Sequence, residues 1–252
     1  MIPAQRQKRI LNLIKERKII SINELSDILQ VSHMTIRRDI QKLEDEGRVV
    51  SVSGGVQALE HLPYEATHDD KFLVFHDEKE NIGRQSAQLI PENVTVYLDA
   101  GTTSLEIARQ IAAREDLLVI TNDFVIANFL MVQGQSNLIH IGGTVNKLNR
   151  SSVGTLAAQT LSQLAIDIAF VSTSSWNLKG LTTPDENKIP VKKAIIQAAH
   201  KNILVSDSSK YGKVATFLIC PLTVFDCIIC DKELLLNAQE AIRDMDVDLL
   251  LV

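Results

Sequence analysis

The sequence predicts a two-part α/β protein. A winged helix-turn-helix is expected over residues 1–57, a linker over 58–76, and an open, mostly parallel α/β domain over 77–252. Three observations carry this. Near the N-terminus, two short helical patterns with their own N-caps are separated by the turn Gln30-Val31-Ser32. From residue 95 onward, short apolar runs alternate with helical patterns, as in a parallel sheet covered on both faces. Finally, 252 residues exceed one small helical module and suit two domains.

The first part is read from its caps. Ser21-Ile22-Asn23-Glu24 is a capping box, opening a helix that turns Ile22, Leu25, Ile28 and Leu29 inward. Ser32 caps the next helix, where Ile36, Ile40 and Leu43 recur at i, i+4 and i+7. That stripe leaves Ser32, His33, Met34, Thr35, Arg37, Arg38 and Gln41 on other faces. A helix N-terminus carrying hydroxyls and two arginines can meet phosphates with backbone N–H groups and read base edges with side chains. An ordinary surface helix keeps its cations in the last turn, where the dipole favours them; here Arg37 and Arg38 lie near the first. An earlier helix over 5–17 supplies Ile10, Leu11 and Ile14 to the small core. Gly47 ends the recognition helix, and the stretch from Arg48 to Gly55 alternates as two short strands around a turn, a wing. Arg48 is counted with the DNA contacts, and Asp39 is expected to hold Arg6 or Arg9. The implied partner is double-stranded operator DNA.

Charge distribution agrees with a local DNA-binding face. The chain carries −5 overall, but residues 1–60 hold ten Lys/Arg against eight Asp/Glu, net +2, leaving −7 on the remainder. With 45% hydrophobic residues the chain can bury a sizeable core. No apolar run approaches a membrane span and no signal-peptide core opens the chain, so no membrane partner and a cytoplasmic location are expected. Cys220, Cys227 and Cys230 fall in or beside apolar runs without a second ligand pair, which reads as reduced core cysteines rather than a metal site. His140 and His200, on apolar elements, read as core or surface histidines.

In the second part, strands are expected at 95–98, 117–121, 138–141, 168–172, 203–206, 224–230 and 247–251. Helices are expected at 78–90, 103–113, 124–132, 155–164, 191–200 and 235–244. Polar loops follow four of the strands: Asp99-Ala100-Gly101-Thr102-Thr103, Thr121-Asn122-Asp123, Gly142-Gly143-Thr144 and Asp207-Ser208-Ser209-Lys210. Strand C-termini of an open α/β sheet converge on one crevice, so these loops are expected to share a ligand. Gly101, Thr102 and Thr103 at a helix N-terminus, with Lys210, suit a phosphate; Asp99, Asn122 and Asp207 suit sugar hydroxyls. There is no Walker lysine and no dinucleotide fingerprint, so no nucleotide cofactor is expected.

The residues Arg6, Ile10, Ile14, Ser32, Thr35, Ile36, Arg37, Arg38, Asp39 and Ile40 stand at the spacing of the DeoR-type bacterial repressor signature. The resemblance continues through Asp99 to Thr103, Thr121-Asn122, Gly142-Gly143, Val153-Gly154, Val191-Lys192 and Asp207 to Tyr211. It implies a sensor domain similar in fold to ribose-5-phosphate isomerase, responding to a phosphorylated sugar. By the same analogy, Lys79 of Glu78-Lys79 reaches the phosphate, and Lys192 lies in the site. Ser51 and Ser53 depart from the family's usual Arg and His, Lys71 from Arg, and Lys188 from Glu. A lysine at 188 favours a carboxylate, which points to a sugar-acid phosphate as the effector; the alternative reading puts Lys188 on a mobile surface loop beside Pro190, outside the site. A homodimer or homotetramer is expected, because one short recognition helix reads few bases. The competing reading is a sugar-phosphate isomerase with a fused DNA-binding head, using Asp99 or Asp207 as base.

Overall fold

The computed structural model describes all 252 residues. Its N-terminal part holds helices Pro3–Arg17, Ile22–Leu29 and His33–Asp45, with strands Ile19–Ser21, Val49–Val52 and Gly55–Ala58 in one antiparallel sheet. The capping box is formed, with Ser21 Oγ accepting from Glu24 N at 3.1 Å, and Gln30 closes that helix in the left-handed conformation. Ile10, Ile14, Ile20, Leu25, Ile36, Leu43 and Val56 make the core. Gly55 is required there, because a Cβ would stand 2.6 Å from the Ile20 carbonyl oxygen. Asp39 accepts from Arg6 Nε and, at 3.0 Å, from Gln7 Nε2, so the first helix clamps the recognition helix.

Residues 58–76, expected as a linker, lie along the larger part as a strap. Strand Glu60–His61 pairs with Lys213–Val214, and helix His68–Phe72 is capped by Thr67.

The larger part is built on seven parallel strands, in the order Asp248–Leu251, Cys227–Cys230, Ala199–Val205, Ile166–Ser172, Thr95–Leu98, Leu118–Thr121 and Asn137–His140. The expected doubly covered parallel sheet is therefore borne out, with most boundaries within a few residues. The chain leaves Thr95–Leu98 toward one edge, then returns beyond it at Ile166–Ser172 and winds to the other. The winding direction thus switches between these two neighbours, where a crevice opens at the strand ends.

Other elements were not expected. Ser175–Asn177, Gly180–Thr183 and Phe217–Cys220 form a small antiparallel sheet, and Thr144–Asn146 pairs with Ser151–Val153. The helix expected from 191 begins at Lys188, because Pro190 sits in its first turn, where a missing N–H costs nothing. Trp176 is fully buried, donating from Nε1 to Ser206 Oγ at 3.0 Å with its ring edge-on to Tyr211. The three cysteines are buried and unpaired, and burial pushes the Cys220 and Cys227 thiols up to about 11. His140 is half-buried against Phe124, and His200 is exposed. No helix is long and apolar enough to cross a membrane.

The two parts share a packed seam. Buried Glu44 of the recognition helix accepts from Ser51 N at 2.8 Å, while Asn237 Nδ2 donates to the Ser51 carbonyl at 3.1 Å. Val50 of the wing belongs to the same buried cluster as Trp176, Tyr211 and Leu234.

Candidate functional site

Two surfaces carry the chemistry. On the recognition helix, Ser32 Oγ accepts from Thr35 N at 3.3 Å, which fixes the helix start. Ser32, His33, Met34, Arg37, Arg38, Gln41 and Arg48 are exposed, and Thr35 is half-buried. Gln41 donates to Asp45 Oδ1 at 3.0 Å and Arg48 pairs with Glu46 at 3.5 Å. Exposed pairs of this kind are weak enough to yield to phosphate. Ser51 does not face outward as a wing contact; its hydroxyl is held by Glu44. Arg37 and Gln41 also line a groove whose other wall is residues 232–237 and Glu240.

The second surface is the crevice at the switch point, where loops at the strand ends meet the strap. Gly101 opens the helix Thr102–Ile111 with φ +154°, and a Cβ there would stand 3.1 Å from Ser172 Oγ. The first free N–H groups of that helix, from Thr102 to Ser104, find no acceptor in the protein and present partial positive charge. Lys71, Lys79, Lys188, Lys192 and Lys210 line the crevice, and only two of its seventeen lining residues are hydrophobic. The arrangement has the charge and the free N–H groups to receive an anion.

Each charged group has a defined partner. Asp99 Oδ2 accepts from Ser172 N at 2.9 Å and from Lys192 Nζ, while its Oδ1 accepts from Ala100 N at 2.9 Å. Both oxygens are therefore occupied, which leaves Asp99 a poor base. Asp207 is buried, accepts from Ser209 Oγ, and lies 3.9 Å from Lys210 Nζ. Lys79 donates to the carbonyls of Lys71 and, at 2.6 Å, Val74; burial pushes its ammonium down. Two of its three donors thus anchor the strap, leaving one for a ligand. Neighbouring Asp123 receives Gly101 N at 3.1 Å, and burial pushes its carboxyl up to about 6 against the N–H groups it accepts.

Of the residues singled out in the sequence, Lys79, Gly101, Thr102, Thr103, Lys188, Lys192, Asp207 and Lys210 meet in this crevice. Asp99 and Asn122 line an adjoining lobe beside Ser151, whose buried hydroxyl has no partner. Asn122 is spoken for: it accepts from Tyr97 Oη at 2.7 Å and donates to the Ser152 carbonyl at 2.8 Å. Thr121, Gly142 and Gly143 lie outside both lobes. Thr121 Oγ1 receives Asp123 N at 3.1 Å, and the glycines are exposed where the hairpin begins. Glu65, Ser172, Thr173, Ser174, Thr182 and Thr183 join the lining without having been singled out, and Lys71, noted in the sequence only as a departure from Arg, lines it too.

Residues 6–61 match the DeoR-like helix-turn-helix domain, and residues 74–232 match the DeoR C terminal sensor domain. The chain belongs to the DeoR family of transcriptional regulators. A Haemophilus influenzae protein termed an uncharacterized HTH-type transcriptional regulator is 67% identical over 252 residues, covering 100% of this chain and 98% of that one. The HTH-type transcriptional regulator YgbI of Escherichia coli is 48% identical, over 99% and 98%. The Escherichia coli glycerol-3-phosphate regulon repressor, also full length, is 28% identical over 99% of each chain. Among solved structures, ribose 5-phosphate isomerase A of Methanocaldococcus jannaschii aligns with a TM-score of 0.39 and 17% identity over 54% of each chain, too distant to transfer chemistry. In this DeoR-family chain, the quoted motif from Ser32 to Ile40 falls at the start and along the recognition helix, while Gly101, Thr102, Thr103, Lys192, Asp207 and Lys210 fall in the crevice.

Proposed function

We propose that this DeoR-family regulator represses an operon for catabolism of a sugar or sugar acid, releasing or retuning its hold on operator DNA when a phosphorylated intermediate fills the crevice. The observation that carries the reading is five lysines lining one crevice together with a helix N-terminus. A phosphate at that N-terminus would take the N–H groups of Thr102 and Thr103, with Lys79 and Lys210 as counterions. Lys188 supplies the preference for a carboxylate at the other end of the ligand, because an ammonium only donates. No enzymatic role is proposed, since the candidate bases are already committed to other groups.

The effector class is tested by comparing a four-carbon aldonate phosphate with the aldose phosphate of equal length, by calorimetry. Lys188→Glu would set a second carboxylate against Glu65, so the neutral Lys188→Gln is the informative variant. Wild type is expected to prefer the acid, by about tenfold for one buried charge pair kept, and Lys188→Gln to lose that preference. Equal ratios in the two proteins would sink the assignment.

On the DNA side, Arg37→Ala and Arg38→Ala are each expected to weaken operator binding by about 1–3 kcal/mol while leaving the melting temperature in place. At least one should flatten the salt dependence, because a lost phosphate contact releases fewer counterions. Unchanged affinity and slope in both would remove the recognition helix from the reading.

A further inference from the structure

Glu65 is placed unlike its neighbours. Pro63, Tyr64 and Ala66 are exposed, Tyr64 to 77%, while the Glu65 side chain turns inward and is only 10% exposed. Its Oε1 accepts from Lys71 Nζ at 2.7 Å and its Oε2 from Lys188 Nζ. Burial alone would raise this carboxyl, but Lys188 and Lys71 outweigh it and hold it at about 2, so it stays ionised. A strap residue thus presents to two crevice lysines the same group that a carboxylate ligand would present.

We propose that the Glu65 carboxylate is a built-in occupant of the Lys71–Lys188 subsite, and that a ligand carboxylate binds there by exchanging with it. The inference rests on the effector reading above and deepens it. Charge supports the exchange. The five lysines against Glu65, Asp99 and Asp207 leave a formal +2, matched to one phosphate. With Glu65 withdrawn the excess is +3, matched to a phosphate and a carboxylate together. An aldose phosphate leaves Glu65 in place; an aldonate phosphate displaces it.

The exchange also reaches the DNA-binding head. Glu65 sits on the strap that follows the last head strand, Gly55–Ala58. That strap is tied to the body by Glu60 N to the Gly212 carbonyl at 3.1 Å and Leu62 N to the Val214 carbonyl at 2.8 Å. Gly212 in turn lies against Val50 of the wing. Loosening Glu65 therefore acts on the segment that joins crevice to head, and ligands of the two classes differ in doing so.

The test compares wild type with the isosteric Glu65→Gln, using the two sugar phosphates and malonate, a dicarboxylate without phosphate. Glu65→Gln should bind the aldonate phosphate about tenfold more tightly while changing the aldose phosphate by less than about threefold. Malonate should raise the melting temperature of Glu65→Gln more than that of wild type. Glu65→Asp, which keeps the charge, should follow wild type and shows that any change in Glu65→Gln is not misfolding. Weaker aldonate binding in Glu65→Gln, an equal gain for both sugar phosphates, or equal malonate shifts would overturn the exchange. If neither sugar phosphate binds either protein while the malonate difference persists, the effector class is wrong and the exchange stands.

Discussion

Asp39→Ala is expected to cost the head about 3–5 kcal/mol, the range for removing one partner of a buried ion pair. The Arg6 and Asp39 side chains are 10% and 5% exposed, so the abandoned guanidinium cannot simply be rehydrated. Gln7 loses its acceptor in the same step. Both bonds join the first helix to the recognition helix, and a head of this size has only a few kcal/mol of its own to lose. Thermal unfolding should show an early transition, and operator binding should fall with it even though Asp39 is buried against the first helix. Asp39→Asn, which can still accept from Arg6, should lose less. A loss below about 1 kcal/mol for Asp39→Ala would show that the pair is dispensable.

Trp176→Ala is expected to destabilise the larger part by about 3–5 kcal/mol, as for other fully buried aromatic side chains cut to Ala. The indole projects from a strand of the small antiparallel sheet to pack edge-on against Tyr211, and its Nε1 donates to Ser206 Oγ. Its cluster includes Val50, so the loss falls in the core that the wing shares with the larger part. Trp176 is the sole tryptophan, so urea unfolding is followed by circular dichroism rather than fluorescence. The midpoint should fall with little change in slope. Trp176→Phe should lose less, keeping most of the volume but not the bond. A midpoint unchanged in Trp176→Ala would contradict the burial.

The head was legible because its signals are local. Ser21 with Glu24, Ser32 with Thr35, and Ile36 with Ile40 and Leu43 act within one or two turns, and each is formed. The parallel strands were legible as apolar runs, since both faces are covered. Gly180–Thr183 and Ser175–Asn177 were not, being short and rich in Gly, Ser and Thr, residues that read as turns. Lys188, beside Pro190, reads from the sequence equally well as a surface-loop residue, yet it opens a helix and its side chain is only 13% exposed. Glu65 carried no sequence signal at all. Its partner Lys188 lies 123 positions away, and only the folded strap brings them together.

The strand order has a kinetic consequence. Ile166–Ser172 lies between Thr95–Leu98 and Ala199–Val205, and Asp99 is satisfied by Ser172 and Lys192. The crevice therefore cannot close until the chain beyond residue 192 has left the ribosome, whereas the head's own core and sheet are built within the first 58 residues. Local contacts form faster than distant ones. A newly made chain thus acquires its DNA-facing surface before it can sense anything, and the late closure of the sheet completes its control.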